Sequence, residues 1–341
     1  MRRRNRIFTQ NGRRRRYFRG QAPTEQSEAG NWPKLQQAIL VRAKMARAER
    51  LSSMSHAPRS SVLAITFVLL WLPTATSARA DVEAVRRRAL AGDARAQNDL
   101  GLAYHYGRGV AVDAVEAFRW YSAAAIQGNA TAQYNLGVLY DEGSGVPRDP
   151  ELAVRWYKSA AEQGLAIAQN NLALLYERGE GVEQSDEEAA RWYRAAAEQG
   201  FSLAQYNLGL AYQSGRGVDQ SYSAAVEWYT KAAEQDSTEA QNVLATMYDL
   251  GKGVGQDKAR AAAWYLRAAE AGDAVARYVI GVRYLRGEGV RQDSLRAFLW
   301  LNLAALAGIE QAAAPRSEAV ARMTAVEMET ALALPKSAKS P

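Results

Sequence analysis

From Ala96 to Gln311 the sequence returns to itself every 36 residues, six times and without a gap. The registers start at Ala96, Ala132, Ala168, Ala204, Ala240 and Ala276. Tyr104, Tyr140, Tyr176, Tyr212, Tyr248 and Tyr284 fall in one column. Trp120, Trp156, Trp192, Trp228, Trp264 and Trp300 fall in another, and Ala117 and its five equivalents are all alanine. A unit this short buries its apolar face only by stacking on its neighbours, so the period itself dictates an array rather than one closed core.

Each unit reads as two helices. In "AQYNLGVLYDEG", Ala132, Leu136, Leu139 and Tyr140 recur at helical spacing and define one apolar face of helix A. A glycine then stops the helix, because glycine takes the left-handed cap at little cost. Helix B opens on Asp149-Pro150, a side-chain cap followed by a residue whose missing N–H is no loss in the first turn. Asp113, Ser185, Ser221, Asp257 and Asp293 hold the same slot, and Asp113 with Glu116 or Ser185 with Glu188 fits a capping box. Helix B ends at Gly128, Gly164, Gly200, Gly272 or Gly308, and Asp236 interrupts that column.

One column looks wrong for a helix. Gly101, Gly137, Ala173, Gly209, Ala245 and Gly281 fall in the middle of helix A, where glycine costs about 1 kcal/mol relative to alanine. A close approach of helix B explains them, with the alanine pairs at 124–125 and 160–161 making room from the other side. The repeated tryptophans and tyrosines are expected to fill that seam, so that truncating a fully buried tryptophan to alanine costs about 3–5 kcal/mol. The paired glycines of GRGV, GSGV, GEGV and GKGV invite a phosphate-loop reading. That reading needs a strand before the glycines and a helix N-terminus just after them. Here a helix precedes each pair and several residues separate it from the next cap, so the loop is a hinge with its valine tucked on the core.

These columns resemble the Sel1-like repeat, a bacterial relative of the tetratricopeptide repeat with a longer turn between its helices. The tetratricopeptide repeat itself has a period of about 34. The resemblance implies an all-α fold, a right-handed α/α superhelical solenoid of helix-turn-helix units over residues 96–311. It also implies a non-enzymatic scaffold, adaptor or regulator that binds a protein or peptide on its surface. Some exported members resemble regulators of a sensor kinase or scaffolds of exopolysaccharide machinery, which makes such an envelope protein the expected partner. A cysteine-rich branch is linked to β-lactam binding or hydrolysis, but this chain has no cysteine.

The flanks complete the array. Residues 81–95 read as an opening helix B without its partner, and 312–334 as closing helices with Thr324 and Glu327 as a capping box. Residues 335–341 read as a frayed tail. Upstream, "VLAITFVLLWL" at 62–72 is too short to span a bilayer, and it is followed by the small-x-small end Ala78-Arg79-Ala80. Residues 54–80 thus read as a cleavable signal peptide, giving a periplasmic or secreted protein with no stable membrane span. Residues 1–53 then form a disordered basic extension or a mis-called start. They also explain the net charge of +7, since residues 1–60 carry 15 Lys and Arg against 3 Asp and Glu. A nucleic-acid role does not follow from that charge.

Two histidines and no cysteine leave little for metal sites or nucleophilic catalysis. His105 reads as a polar helix end, and Asp186-Glu187-Glu188 as negative charge on a first helical turn. No catalytic residue, metal ligand or cofactor is assigned. Contact residues are sought in the variable columns. The third position of helix A alternates Asn98, Tyr134, Asn170, Tyr206, Asn242 and Tyr278, beside Asn135, Asn171 and Asn207. These groups suit a peptide backbone or, alternatively, a cell-wall or exopolysaccharide ligand. Equally, they satisfy one another inside the solenoid.

Overall fold

The computed structural model describes residues 75–333. The basic extension at 1–53, the apolar run at 62–72 and the tail at 335–341 lie outside the described residues. Among those described there are fifteen α-helices, one short 3-10 turn and no strand. An opening helix α1 (Ala75–Leu90) precedes six helix pairs. Helix A of the pairs is α2 (Ala94–Tyr106), α4 (Ala130–Glu142), α6 (Ala166–Arg178), α8 (Ser202–Ser214), α10 (Thr238–Leu250) and α12 (Ala274–Arg286). Helix B is α3 (Ala114–Ile126), α5 (Pro150–Glu162), α7 (Asp186–Glu198), α9 (Tyr222–Glu234), α11 (Lys258–Ala271) and α13 (Ser294–Leu306). A 3-10 turn (Glu310–Ala312) leads to the closing helices α14 (Ala313–Arg322) and α15 (Ala325–Ala333). Each helix packs on the next in chain order, so the helices form a solenoid.

The opening helix joins this array in the register of a helix B. Ala89 occupies the place of Ala125, and its carbonyl accepts from Gln97 as that of Ala125 accepts from Gln133. α1 runs through Ala78 and Ala80, and from residue 81 on, where its burial is described, Val82 and Ala89 are buried.

The glycine column of helix A is explained by a ring. A Cβ on Gly101, Gly137 or Gly209 would lie 2.5–2.7 Å from the nearest ring carbon of Tyr121, Tyr157 or Tyr229. At Gly281 the neighbour is Leu301, with Cγ at 2.7 Å. The seam is therefore filled by the residue after each tryptophan, and the expectation for the tryptophans is corrected. Tyr121, Tyr157 and Tyr229 are at most 1% exposed, whereas five of the six tryptophans are only half-buried and Trp300 alone is buried. The half-buried rings pack against the buried cluster of the preceding unit, and Arg119, Arg191, Lys231 and Arg267 sit over four of them. Truncating one of these five costs less than the fully buried figure for that reason.

The double-glycine turn performs two tasks. Its first glycine caps helix A in the left-handed region and donates to a carbonyl one turn back, as Gly143 does to Leu139 at 2.9 Å. The turn then closes when the helix B cap residue donates its N–H to the tyrosine carbonyl of helix A, at 2.8–3.0 Å in all six units. The second glycine is an inter-repeat contact. Gly217 has φ 66°, and a Cβ there would fall on the backbone carbonyl of Asp186, at the start of the preceding helix B. The valine beside it packs on the core in the first three units, as Val110, Val146 and Val182.

Caps follow the expected positions, with one refinement. Asp113 and Ser185 accept backbone N–H bonds, but Glu116 turns to Trp120 and Glu188 to Arg191, so neither box closes. Thr324 and Glu327 close theirs in both directions, at 2.8 and 3.3 Å. Asp236, where the other units have glycine, is the one non-glycine residue with positive φ among the described residues, at 63°.

Two substitutions test this account by urea unfolding. Gly217→Ala is expected to lose about 2–5 kcal/mol, the left-handed penalty plus overpacking against a backbone that cannot rotate away. Asp236→Gly is expected to gain about 1 kcal/mol by relieving the same penalty.

Candidate functional site

The third-position column was the candidate contact surface, and the structure shows what each member touches. Asn98 is 5% exposed, and its Oδ1 accepts from Asn135 Nδ2 at 3.0 Å. Asn170 is fully buried, accepts from Asn207 Nδ2 at 3.0 Å and donates to Asn171 Oδ1 at 3.3 Å. Tyr134 is half-buried with its ring centroid 5.7 Å from that of Tyr157, and Asn171 beside the two phenols offsets the rise that burial gives their pKa values. In each case a residue of one helix A meets the neighbouring column of the next helix A. The result is a ladder with asparagine rungs joining α2 to α4 and α6 to α8, and Tyr134 beside Asn171 between them.

The ladder stops where the neighbouring column changes from asparagine to Val243 and Val279. Valine offers no side-chain hydrogen bond. Asn242 Oδ1 is accordingly buried without a partner. Tyr206 lies half-buried against Tyr229, with ring centroids 5.8 Å apart, and Tyr278 is half-buried. Exposed apolar side chains flank this part of the helix A face, Leu203 on α8, Leu250 on α10 and Val275 on α12.

Burial raises the phenol pKa values along the stripe. Tyr134 is pushed up to about 12 by burial, assisted by Tyr106 and offset by Asn171. Tyr121, Tyr157, Tyr193 and Tyr229 are pushed further above their ordinary value, each mainly by burial. These phenols stay neutral at physiological pH and serve as hydrogen-bond groups. Glu177 lines a small pocket with Tyr193, Asn207 and Arg216. Its carboxylate accepts from the Tyr193 hydroxyl at 2.7 Å and pairs with Arg216 at 2.7 Å, so its charge is already used. His105 ends α2 half-buried beside Tyr106, and burial lowers its pKa. Asp186, Glu187 and Glu188 sit on the first turn of α7. What the surface gathers is therefore amides, neutral phenols and paired charges, which suit recognition by hydrogen bonds. Among the described residues no cluster of three His, Asp or Glu side chains forms a metal site, and no helix is long and apolar enough to cross a membrane.

Sequence reasoning missed a second ladder. Gln97, Gln133, Gln169, Gln205 and Gln241 are all buried, and each donates to an alanine carbonyl of the preceding helix B at 3.0–3.2 Å. Gln127, Gln163, Gln199 and Gln235, at the ends of helix B, donate back to the first four at 2.6–2.8 Å. Two glutamine columns thus link three consecutive helices. The signal was present as "AQ" at the start of each register from Ala96 to Ala240.

Comparison with known proteins agrees with this geometry. The family model described as the Sel1 repeat matches residues 94–129, 130–165, 166–201, 202–237, 238–273 and 274–309. Its units start at the N-terminus of helix A, two residues before the register taken from the alanines. The chain is similar to a protective antigen present in uropathogenic Escherichia coli strains, at 38% identity and a TM-score of 0.68. That match covers 75% of this chain and 54% of the antigen, so the chain spans about half of that protein's length. It is also similar to a Sel1 repeat protein from Oxalobacter formigenes, at 33% identity and a TM-score of 0.57, over 68% of this chain and 97% of that one. No curated protein matched.

Gln133→Ala removes one rung at both ends and is expected to lower the unfolding free energy by about 1–3 kcal/mol in urea titration. Gln241→Ala is expected to cost less, since Gln241 Oε1 already lacks a partner.

Proposed function

The chain belongs to the Sel1 repeat family, and from that premise we propose that it is a protein-binding scaffold or adaptor of the bacterial envelope. Sel1 repeat proteins generally mediate protein–protein interaction. The envelope part of the reading rests on the signal-peptide grammar of residues 54–80. A protein of that compartment, such as a sensor kinase or a component of exopolysaccharide machinery, is the proposed partner.

The observation that carries the site is the end of the asparagine ladder. In α2 and α6 the third-position residues Asn98 and Asn170 are buried and bonded to the next repeat. Beyond α8 that partner column is valine, and Asn242 Oδ1 has no bond. We assign the contact surface to Tyr206, Asn242 and Tyr278 with the apolar side chains around them. The half-buried phenols and the exposed apolar side chains of this strip suit an extended peptide, which offers backbone groups to the phenols and apolar side chains to the rest.

Two triple variants of the tagged mature protein test this by capture from envelope extract. Tyr206→Phe with Asn242→Leu and Tyr278→Phe is expected to weaken capture of a stoichiometric protein about tenfold or more, with little change in Tm. Asn98→Leu with Tyr134→Phe and Asn170→Leu is expected to lower Tm instead. Undiminished capture by the first variant would overturn the site. Retention on cell-wall glycan with no protein partner would favour a glycan-binding module, and a cytoplasmic native protein would remove the envelope role.

A further inference from the structure

The unpaired polar groups of the array gather in the fifth repeat and at its joint with the sixth. Between the earlier helices A, a third-position asparagine rung crosses the joints of α2 with α4 and of α6 with α8. It is missing at the joint of α8 and α10, where Val243 stands opposite Tyr206. It is missing again at the joint of α10 and α12, where Val279 stands opposite Asn242 and leaves its Oδ1 buried without a partner. Arg277 of α12 still donates to the Ala269 carbonyl of α11 at 3.2 Å. The glutamine rung inside the fifth unit is missing too. Ala271 holds the place of Gln127, Gln163, Gln199 and Gln235, and Gln241 Oε1 is buried without a partner. A third departure lies in the core. Ala103, Leu139, Leu175, Ala211 and Met247 form a buried apolar column, and its sixth member is Arg283, 7% exposed.

Arg283 pairs with Asp249 of α10 across the joint and sits 5.1 Å over the Tyr265 ring. Its Nε has no partner. A buried ion pair holds two surfaces together less well than the apolar contact it replaces unless every polar atom is satisfied. Five buried side-chain polar atoms lack a partner among the described residues, and three of them, on Gln241, Asn242 and Arg283, belong to the fifth unit and this joint. Beyond the joint the bonds are local. Arg322 of α14 donates to the Leu285 carbonyl of α12 at 3.3 Å, and Arg316 donates to Asn302 of α13 at 3.2 Å. The closing helices are thereby tied to the sixth repeat.

We infer that this joint is a built-in opening point, at which α12 to α15 separate from the remaining repeats as one unit before the solenoid unfolds. In a linear array stability is a sum of unit and nearest-neighbour contributions, so one weak interface divides the array into two cooperative blocks. The inference does not depend on the proposed partner. Opening would separate Asn242 from Tyr278, and so would switch any surface that spans them.

Hydrogen exchange on the full chain, read by mass spectrometry, tests it. Amides of α12 to α15 are expected to exchange as a group about tenfold or more faster than those of α4 to α9, with a step between α11 and α12. Ala271→Gln with Val279→Asn restores both rungs and is expected to slow that group by about tenfold. Asp249→Gln with Arg283→Met replaces the pair by residues found at the same positions in the fourth and fifth units, and is expected to act in the same direction. A smooth rise in exchange toward Ala333 without a step would be ordinary end fraying and would overturn the inference. A step that survives in both variants would overturn it as well.

Discussion

The solenoid depends on one close contact, an aromatic ring lying where a side chain is missing. Tyr121 on Gly101, Tyr157 on Gly137 and Tyr229 on Gly209 bring helix B onto helix A closer than any Cβ would permit. Each such glycine weakens its own helix by about 1 kcal/mol. The buried tyrosine offsets this, since burying a large apolar side chain contributes about 1.5–3 kcal/mol. Where the column holds Ala173 or Ala245, the facing ring is less completely enclosed, 3% exposed at Tyr193 and 9% at Tyr265. The sixth unit keeps the glycine and changes the partner to Leu301. The spacing of the two helices, and with it the spacing of the array, follows from this contact.

Stacking of units adds a different requirement. Helices packed this closely bury backbone and amide groups at every joint, and those groups need partners. The glutamine columns supply them on one side, and asparagine rungs supply them on the other at the joints of α2 with α4 and of α6 with α8. The second glycine of the second to sixth turns completes the joint by letting backbone lie directly on the N-terminus of the preceding helix B. Polar side chains in this interior therefore fix the register between units. Positions where the series lapses, at Val243, Ala271, Val279 and Arg283, are the places where the chain departs from being a uniform rod of repeats.

That distinction separates scaffold from recognition. Residues that recur in every unit are consumed by folding, and a partner must be read by those that do not. Asn98 and Asn170 stand in the same column as Asn242, yet they are enclosed by the next repeat. One asparagine type at one helical position thus serves structure in the first half of the array and is left with a buried, unpaired acceptor in the second.

Much of this was legible in the sequence. The period gave six units, the caps Asp113, Asp149 and Ser185 gave the starts of helix B, and the mid-helix glycines announced a close approach. Even the lapse at Asp236 was visible as a broken column, and its positive φ explains why glycine is usual there. Three things were not legible. Trp120 and Tyr121 recur equally, and neighbours on a helix point only about 100° apart. Periodicity alone does not say which of them enters the seam. The glutamines were read past because a polar residue beside an alanine is ordinary on a helix until a buried carbonyl is found facing it. The third-position column was seen, but its rungs join residues 37 apart, one more than the period. By itself the sequence determined the unit, its helices and its number of copies, because those follow from local propensity and repetition. Only the tertiary structure decided which copy of each column is enclosed and which is left open, because that depends on the side chain contributed by the next unit across the joint.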